Sequence, residues 1–254
     1  MELLLMVGAI IVGSAISLAG GALIFTTKKR RDKAILVAMP FGAGALLAAA
    51  FFDLLPHAFE MSDPAGLLVW VLVGFLAFFL LERSAGWFHT HHVHEDKKMT
   101  RDTTQRWLIV AGDLTHNVID GIAIGAAFLA DPAVGIITTI AVAAHEIPKE
   151  LGTFALLLSR GWRDRKVLLA NIGTAVGTLV AALSVYLLGS EQNLPEDILL
   201  SLTAGFFIYI AASDIIPDIH EQPQKVGLLQ ALFLVIGVVV VAVVISLLGH
   251  GLEH

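Results

Sequence analysis

Apolar residues in this chain come in runs of about twenty, separated by short polar linkers. Such runs recur eight times, at 3–25, 34–59, 66–86, 107–130, 134–158, 167–189, 197–219 and 227–249. A helix needs roughly twenty apolar residues to cross a bilayer's hydrocarbon core. The pattern therefore predicts an all-α integral membrane protein of eight transmembrane helices. No long polar linker divides the chain, so residues 1–254 read as a single transmembrane domain.

The linkers alternate in charge. Lys28-Lys29-Arg30-Arg31-Asp32-Lys33 is followed by Glu60-Met61-Ser62-Asp63, by a loop with Lys97, Lys98, Arg101 and Arg106, and by Asp131-Pro132. Arg160 to Lys166, Ser190 to Asp197 and a loop holding Lys225 complete the series. Of the 16 Lys and Arg residues, all but Lys149 lie in or beside the first, third, fifth and seventh linkers. Positive charge marks cytoplasmic linkers, so both termini are expected outside a plasma or inner membrane. The first run lacks the basic n-region and small-residue cleavage site of a signal peptide and is expected to be retained. Residues 249–254 read as a tail, either native or the start of an appended histidine tag.

Composition agrees with the pattern. The chain is 57% hydrophobic and 15% charged, against about 25% charged in soluble domains. Its net charge of −6 adds little, and no nucleic-acid partner is expected. Cysteine is absent, which excludes disulfides, thiolate metal sites and cysteine nucleophiles.

An internal repeat is also visible. Run 2 holds Asp53-Leu54-Leu55-Pro56-His57 and run 7 holds Asp214-Ile215-Ile216-Pro217-Asp218. Both are Asp-x-x-Pro followed by a ligand-type residue. They stand five runs apart along the chain, so they cross the membrane in opposite directions, as the halves of secondary transporters do. Helices 1–3 and 6–8 then form an inverted repeat around a central pair, helices 4 and 5. Proline lacks an N–H and crowds the carbonyl four residues back. Kinks are therefore expected to free the carbonyls of Phe52, Ala144 and Ser213, ahead of Pro56, Pro148 and Pro217.

The chemistry lies in that central pair. His116 and Asp120 stand four residues apart, on one helical face, with Asn117 beside them and Asp113 one turn nearer the cytoplasm. His145 and Glu146 fall near the middle of run 5, with Lys149 and Glu150 one turn on. Ionisable groups are costly at that depth and usually mark an ion path. Imidazole with carboxylate suits zinc and related divalent ions. Helix-to-helix packing through Gly121, Gly125 and Ala126 is the bland alternative.

At these residues the chain resembles the ZIP family of metal transporters, in particular prokaryotic relatives of its LIV-1 branch. The carriers are His116-Asn117-x-x-Asp120-Gly121 and His145-Glu146-x-Pro148-x-Glu150-Leu151-Gly152, with Leu55-Pro56-His57 and the stretch from Phe207-Ile208-Tyr209 to Pro217. The resemblance implies uptake of Zn²⁺, or of Fe²⁺, Mn²⁺ or Cd²⁺, into the cytoplasm as transported substrate, with no prosthetic group. It also implies a homodimer and an elevator-like movement of one bundle against another. Its metal ligands would be His116, Asp120, His145 and Glu146, with Asn117 and Asp120 facing a second metal position. The chain departs from the pattern at Lys149, where the family usually has His or Glu, and at Thr153, where LIV-1 members often have Asp. An ammonium has no lone pair to give a metal. Lys149 is therefore expected to replace the second cation, pairing with Asp120 and Glu146, and to leave a single-metal site; the alternative turns it toward Glu150.

Asp53 and His57 are expected to gather metal outside, and Asp113, Asp214 and Asp218 to draw it inward. Asn171 and Thr174 read as packing groups. The loop 87–106 carries His89, His91, His92 and His94, a weak metal-binding tract or a solvated loop. Two rival functions remain. His145-Glu146-Ile147-Pro148-Lys149 nearly spells the His-Glu-x-x-His of zinc proteases, but Lys149 takes the second histidine's place, so no enzyme is expected. A metal efflux carrier would use similar residues, though no soluble metal-binding domain follows the last run.

Overall fold

The computed structural model describes residues 2–21, 28–91, 98–159, 161–192 and 194–251. Among them there is no strand. The helices are α1 (Glu2–Gly21), α2 (Lys28–Ala49), α3 (Leu55–Met61), α4 (Pro64–His91), α5 (Lys98–Ala130), α6 (Pro132–Ser159), α7 (Asp164–Gln192), α8 (Glu196–Tyr209), α9 (Ile216–Glu221) and α10 (Gln224–Gly251). α2 runs into α3 through a π-helical turn, Ala50–Leu54, and α8 runs into α9 through another, Ile210–Ile215.

Among the described residues, six helical stretches are long and apolar enough to cross a membrane: Glu2–Gly20, Leu36–Met61, Pro64–Leu81, Asp164–Gly189, Glu196–Ser213 and Gln224–Leu247. The two long helices outside this set, α5 with 33 residues and α6 with 28, carry the polar clusters in mid-helix. The same residues that make α5 and α6 less apolar are the ones with chemistry to offer.

Both π turns lie just ahead of a proline. Leu55 N–H donates to Ala50 O and Ile216 N–H to Ala211 O, each five residues back. Pro56 and Pro217 have no N–H to continue the ordinary register, and a widened turn absorbs the mismatch. Asp53 sits inside the first π turn and Asp214 inside the second.

Packing sorts the helices into two groups. α1, α5, α6 and α7 contact one another, most extensively α5 on α7 and α1 on α6. α2 packs on α10 and α4 on α8, with α2 also meeting α8. The main bridge between the groups is α2 on α6. Two of these crossings need glycine on both sides. A Cβ at Gly44 would strike Leu234 O and one at Gly237 would strike Phe41 O; one at Gly74 would strike Leu202 O and one at Gly205 would strike Val71 O. Backbone thus meets backbone at the α2–α10 and α4–α8 crossings, the close approach that small residues permit inside membranes.

One apolar core fills the half of the molecule toward the α5–α6 connection. It joins Ile119, Ala123, Ile124 and Phe128 of α5 to Leu46, Leu54 and Phe207. From Asn117 onward α5 is largely buried, whereas Ala111, Gly112, Leu114 and Thr115 are exposed. The polar clusters lie at this boundary.

Candidate metal site

α5 and α6 are antiparallel neighbours joined through Asp131, whose Oδ1 accepts from Ala133 N–H at 2.7 Å and so starts α6. That short connection sets the two helices in register. Asp120 then faces both imidazoles: its Oδ2 lies 3.5 Å from His116 Nε2 and 3.6 Å from His145 Nε2. The two Nε2 atoms are 3.2 Å apart. In a tetrahedral zinc site with bonds of about 2.0–2.1 Å, ligand atoms stand roughly 3.3–3.4 Å from one another. The triangle's edges fall within about 0.3 Å of those of one tetrahedral face.

Its chemistry agrees. His145 Nδ1 lies 3.3 Å from Ala141 O. A carbonyl can only accept, so the ring proton sits on Nδ1 and the Nε2 lone pair turns into the triangle. Asp120 is 1% exposed, and neither of its oxygens has a hydrogen-bond partner. A buried carboxylate without donors is costly unless a cation completes it. His116 is held from the other group of helices, where Phe78 of α4 meets its ring edge-on at 5.6 Å between centroids.

Asn117, Glu146 and Asp113 are close by, but they face Lys149. Its Nζ donates to Asn117 Oδ1 at 3.0 Å and to Glu146 Oε1 at 3.0 Å. Asp113 Oδ1 is 3.2 Å away, within ion-pairing distance but off the axis a hydrogen bond needs. Of the two expected partners of Lys149, Glu146 is found, while Asp113 and Asn117 stand in place of Asp120; Glu150, the alternative, is not among its partners. Of the expected metal ligands, the structure brings His116, Asp120 and His145 together. Asn117 and Glu146 have an oxygen engaged by the ammonium instead.

Glu150 is 1% exposed, with Oε2 unpartnered. Asp53 is buried, with Oδ2 unpartnered, and His57 is half-buried; neither joins the triangle. Asn171 spends its amide on Val167 O and Thr174 its hydroxyl on Asn171 O, within α7. The side chains of Asp214, Asp218, Pro148, His89 and His91, and residues His92 and His94, lie outside the described ones. Two features carry no signal in the sequence. Phe78 is one aromatic among many in an apolar run. A small cavity beside Glu146, lined by Ser14, Ser17, Ile124, Thr139 and Thr178, is formed by four different helices.

The fold is that of a helical membrane protein, with two imidazoles and a carboxylate gathered in its interior. The family described as ZIP Zinc transporter matches residues 3–105 and 86–245, and the chain belongs to that family, one of transporters rather than enzymes. Among similar proteins, zinc transporter zipt-7.2 of Caenorhabditis elegans is 30% identical over 79% of this chain and 55% of its own length. Zinc transporter ZIP13 of Pongo abelii is 30% identical over 82% of this chain and 66% of its own. Zinc transporter ZIP10 of Homo sapiens is 36% identical over 52% of this chain and 17% of its own. The chain thus spans from about half to two thirds of the first two relatives. All three are animal proteins, so the expected prokaryotic kinship is not borne out.

Proposed function

We propose that this chain carries divalent transition-metal ions, Zn²⁺ foremost, across a membrane into the cytoplasm, and that His116, Asp120 and His145 hold each ion midway. The observation that carries this is Asp120: a buried carboxylate with no donor of its own, set between two imidazole nitrogens at zinc-ligand spacing. Two imidazoles with one carboxylate leave a fourth coordination position open, as a site that must also release its ion requires. Glu146 or water is suited to it. The similar proteins named as zinc transporters support zinc as the cargo.

Eight spans fit better than six, because α5 and α6 are long enough and their polar residues are the site itself. The inverted repeat gains support from packing. Exchanging helices 1–3 with 6–8, and 4 with 5, turns the α2–α10 crossing into α8–α4 and the α1–α6 crossing into α7–α5. Gly44 stands nine residues before Asp53, and Gly205 nine before Asp214. The two helix groups supply parts that could shift against each other in alternating access, with the site carried by the α1, α5, α6 and α7 group. The charge pattern directs transport toward the side of Lys28 to Lys33.

The protease reading loses its geometry. The second imidazole of the site comes from α5, and the position four residues after His145 holds an ammonium engaged with Glu146. Uptake of Zn²⁺, Fe²⁺, Mn²⁺ and Cd²⁺ into proteoliposomes tests the proposal. Zinc uptake by the parent, lost in folded His145→Ala, is the expected result; a parent that moves none of the four ions counts against transport.

A further inference from the structure

We propose that Lys149 is a cation of the protein's own, seated where a second metal ion would bind and standing between the metal triangle and the cytoplasm; this rests on the transport reading above. The seat is a cation site in its own right. Three oxygens from two helices converge on Nζ: Asn117 Oδ1 at 3.0 Å, Glu146 Oε1 at 3.0 Å and Asp113 Oδ1 at 3.2 Å. Two are carboxylate oxygens and one an amide oxygen, the hard donors that divalent ions also take. A lysine placed there has no lone pair to offer a metal, and it excludes one by charge and by volume.

Its position follows from the antiparallel helices. Asp113 lies about two turns before Asp120 on α5, and Lys149 about one turn after His145 on α6. Both displacements run the same way, toward the end of the bundle that carries the basic linkers. By helix direction the ammonium therefore lies between the triangle and that end. The side chains of Lys149 and His116 are 20% and 18% exposed, whereas Asp113, Asn117, Asp120, His145 and Glu146 are all buried.

Charge points the same way. Asp113 and Glu146 pair with Lys149, and Asp120 faces the two imidazoles. The ammonium thus already supplies positive charge to the oxygens a second ion would need, and a second divalent ion beside it would be repelled at close range in a poorly solvated pocket. An ion that leaves the triangle along that axis passes beside the ammonium. Its repulsion also weakens the hold of the triangle, which favours release over storage.

The test is zinc stoichiometry and release on the purified chain of residues 1–254. The parent is expected to bind one Zn²⁺. Lys149→Gln is expected to bind two, with release to a chelator slowed about tenfold or more, because the repelling charge is gone. Lys149→Arg, which keeps a cation, is expected to stay at one. Two ions on the parent, or one ion on folded Lys149→Gln with unchanged release, would overturn the inference. Should Lys149→Gln not fold, a zinc-loaded structure of the parent decides. A lone metal peak with Nζ still on Asp113, Asn117 and Glu146 supports the inference, and a metal among those three oxygens refutes it. Retention of the zinc by His145→Ala would instead count against the triangle as the transport site, leaving Lys149 a separate question.

Discussion

Asp120 is the residue on which the site turns. Its partners were readable in outline: His116 and Asp120 share a face by their spacing, and His145 interrupts an apolar run at matching depth. How Asn117 and Glu146 divide between metal and ammonium was not readable, because it depends on the distance between two helices. The reach of Lys149 to Asp113, 36 positions away in sequence, is set by that distance too. Two predictions belong at this scale. Asp120→Asn keeps the shape but removes the charge and is expected to weaken zinc binding by at least about 100-fold, the upper end of what outer-shell changes cost; isothermal titration measures it. X-ray absorption on the zinc-loaded chain should show two imidazoles and one or two oxygens at about 2.0–2.1 Å. A spectrum without imidazole scattering would remove the triangle from the account.

At the scale of elements, hydrophobic runs gave the helices their centres but not their ends. α5 begins at Lys98, well before its apolar run, and its 33 residues extend over roughly 50 Å. Hydropathy reports what lies in lipid, whereas helical hydrogen bonds continue into the polar region beyond. Proline signalled irregular turns at Pro56 and Pro217, where π turns are found, and at Pro148, where α6 instead runs on as one α-helix. The glycine crossings were hidden, since a glycine in a helix says nothing about which backbone approaches it. Gly44→Leu and Gly205→Leu are each expected to destabilise the fold by at least the ~1–3 kcal/mol typical of overpacking, because the obstacle is backbone rather than a movable side chain. Thermal unfolding in detergent should show a lower midpoint. Gly8, whose added Cβ meets nothing within 4 Å, is the control expected to tolerate alanine.

For the whole molecule, the alternation of charged linkers predicts a topology, and the absence of cysteine makes it simple to measure. A single cysteine at Ser62 should react with an impermeant maleimide from outside intact cells. One at Lys225 should react only after permeabilisation. The reverse pattern would invert the transport direction. The measurement that bears most directly on the account is zinc uptake by proteoliposomes of known sidedness, comparing the parent with Asp120→Asn. The expected result is zinc moving toward the side that bears Lys28 to Lys33 in the parent, and none above background in the folded variant. Undiminished uptake by Asp120→Asn would contradict the central claim, because the ion would then be crossing without the carboxylate that the two imidazoles surround.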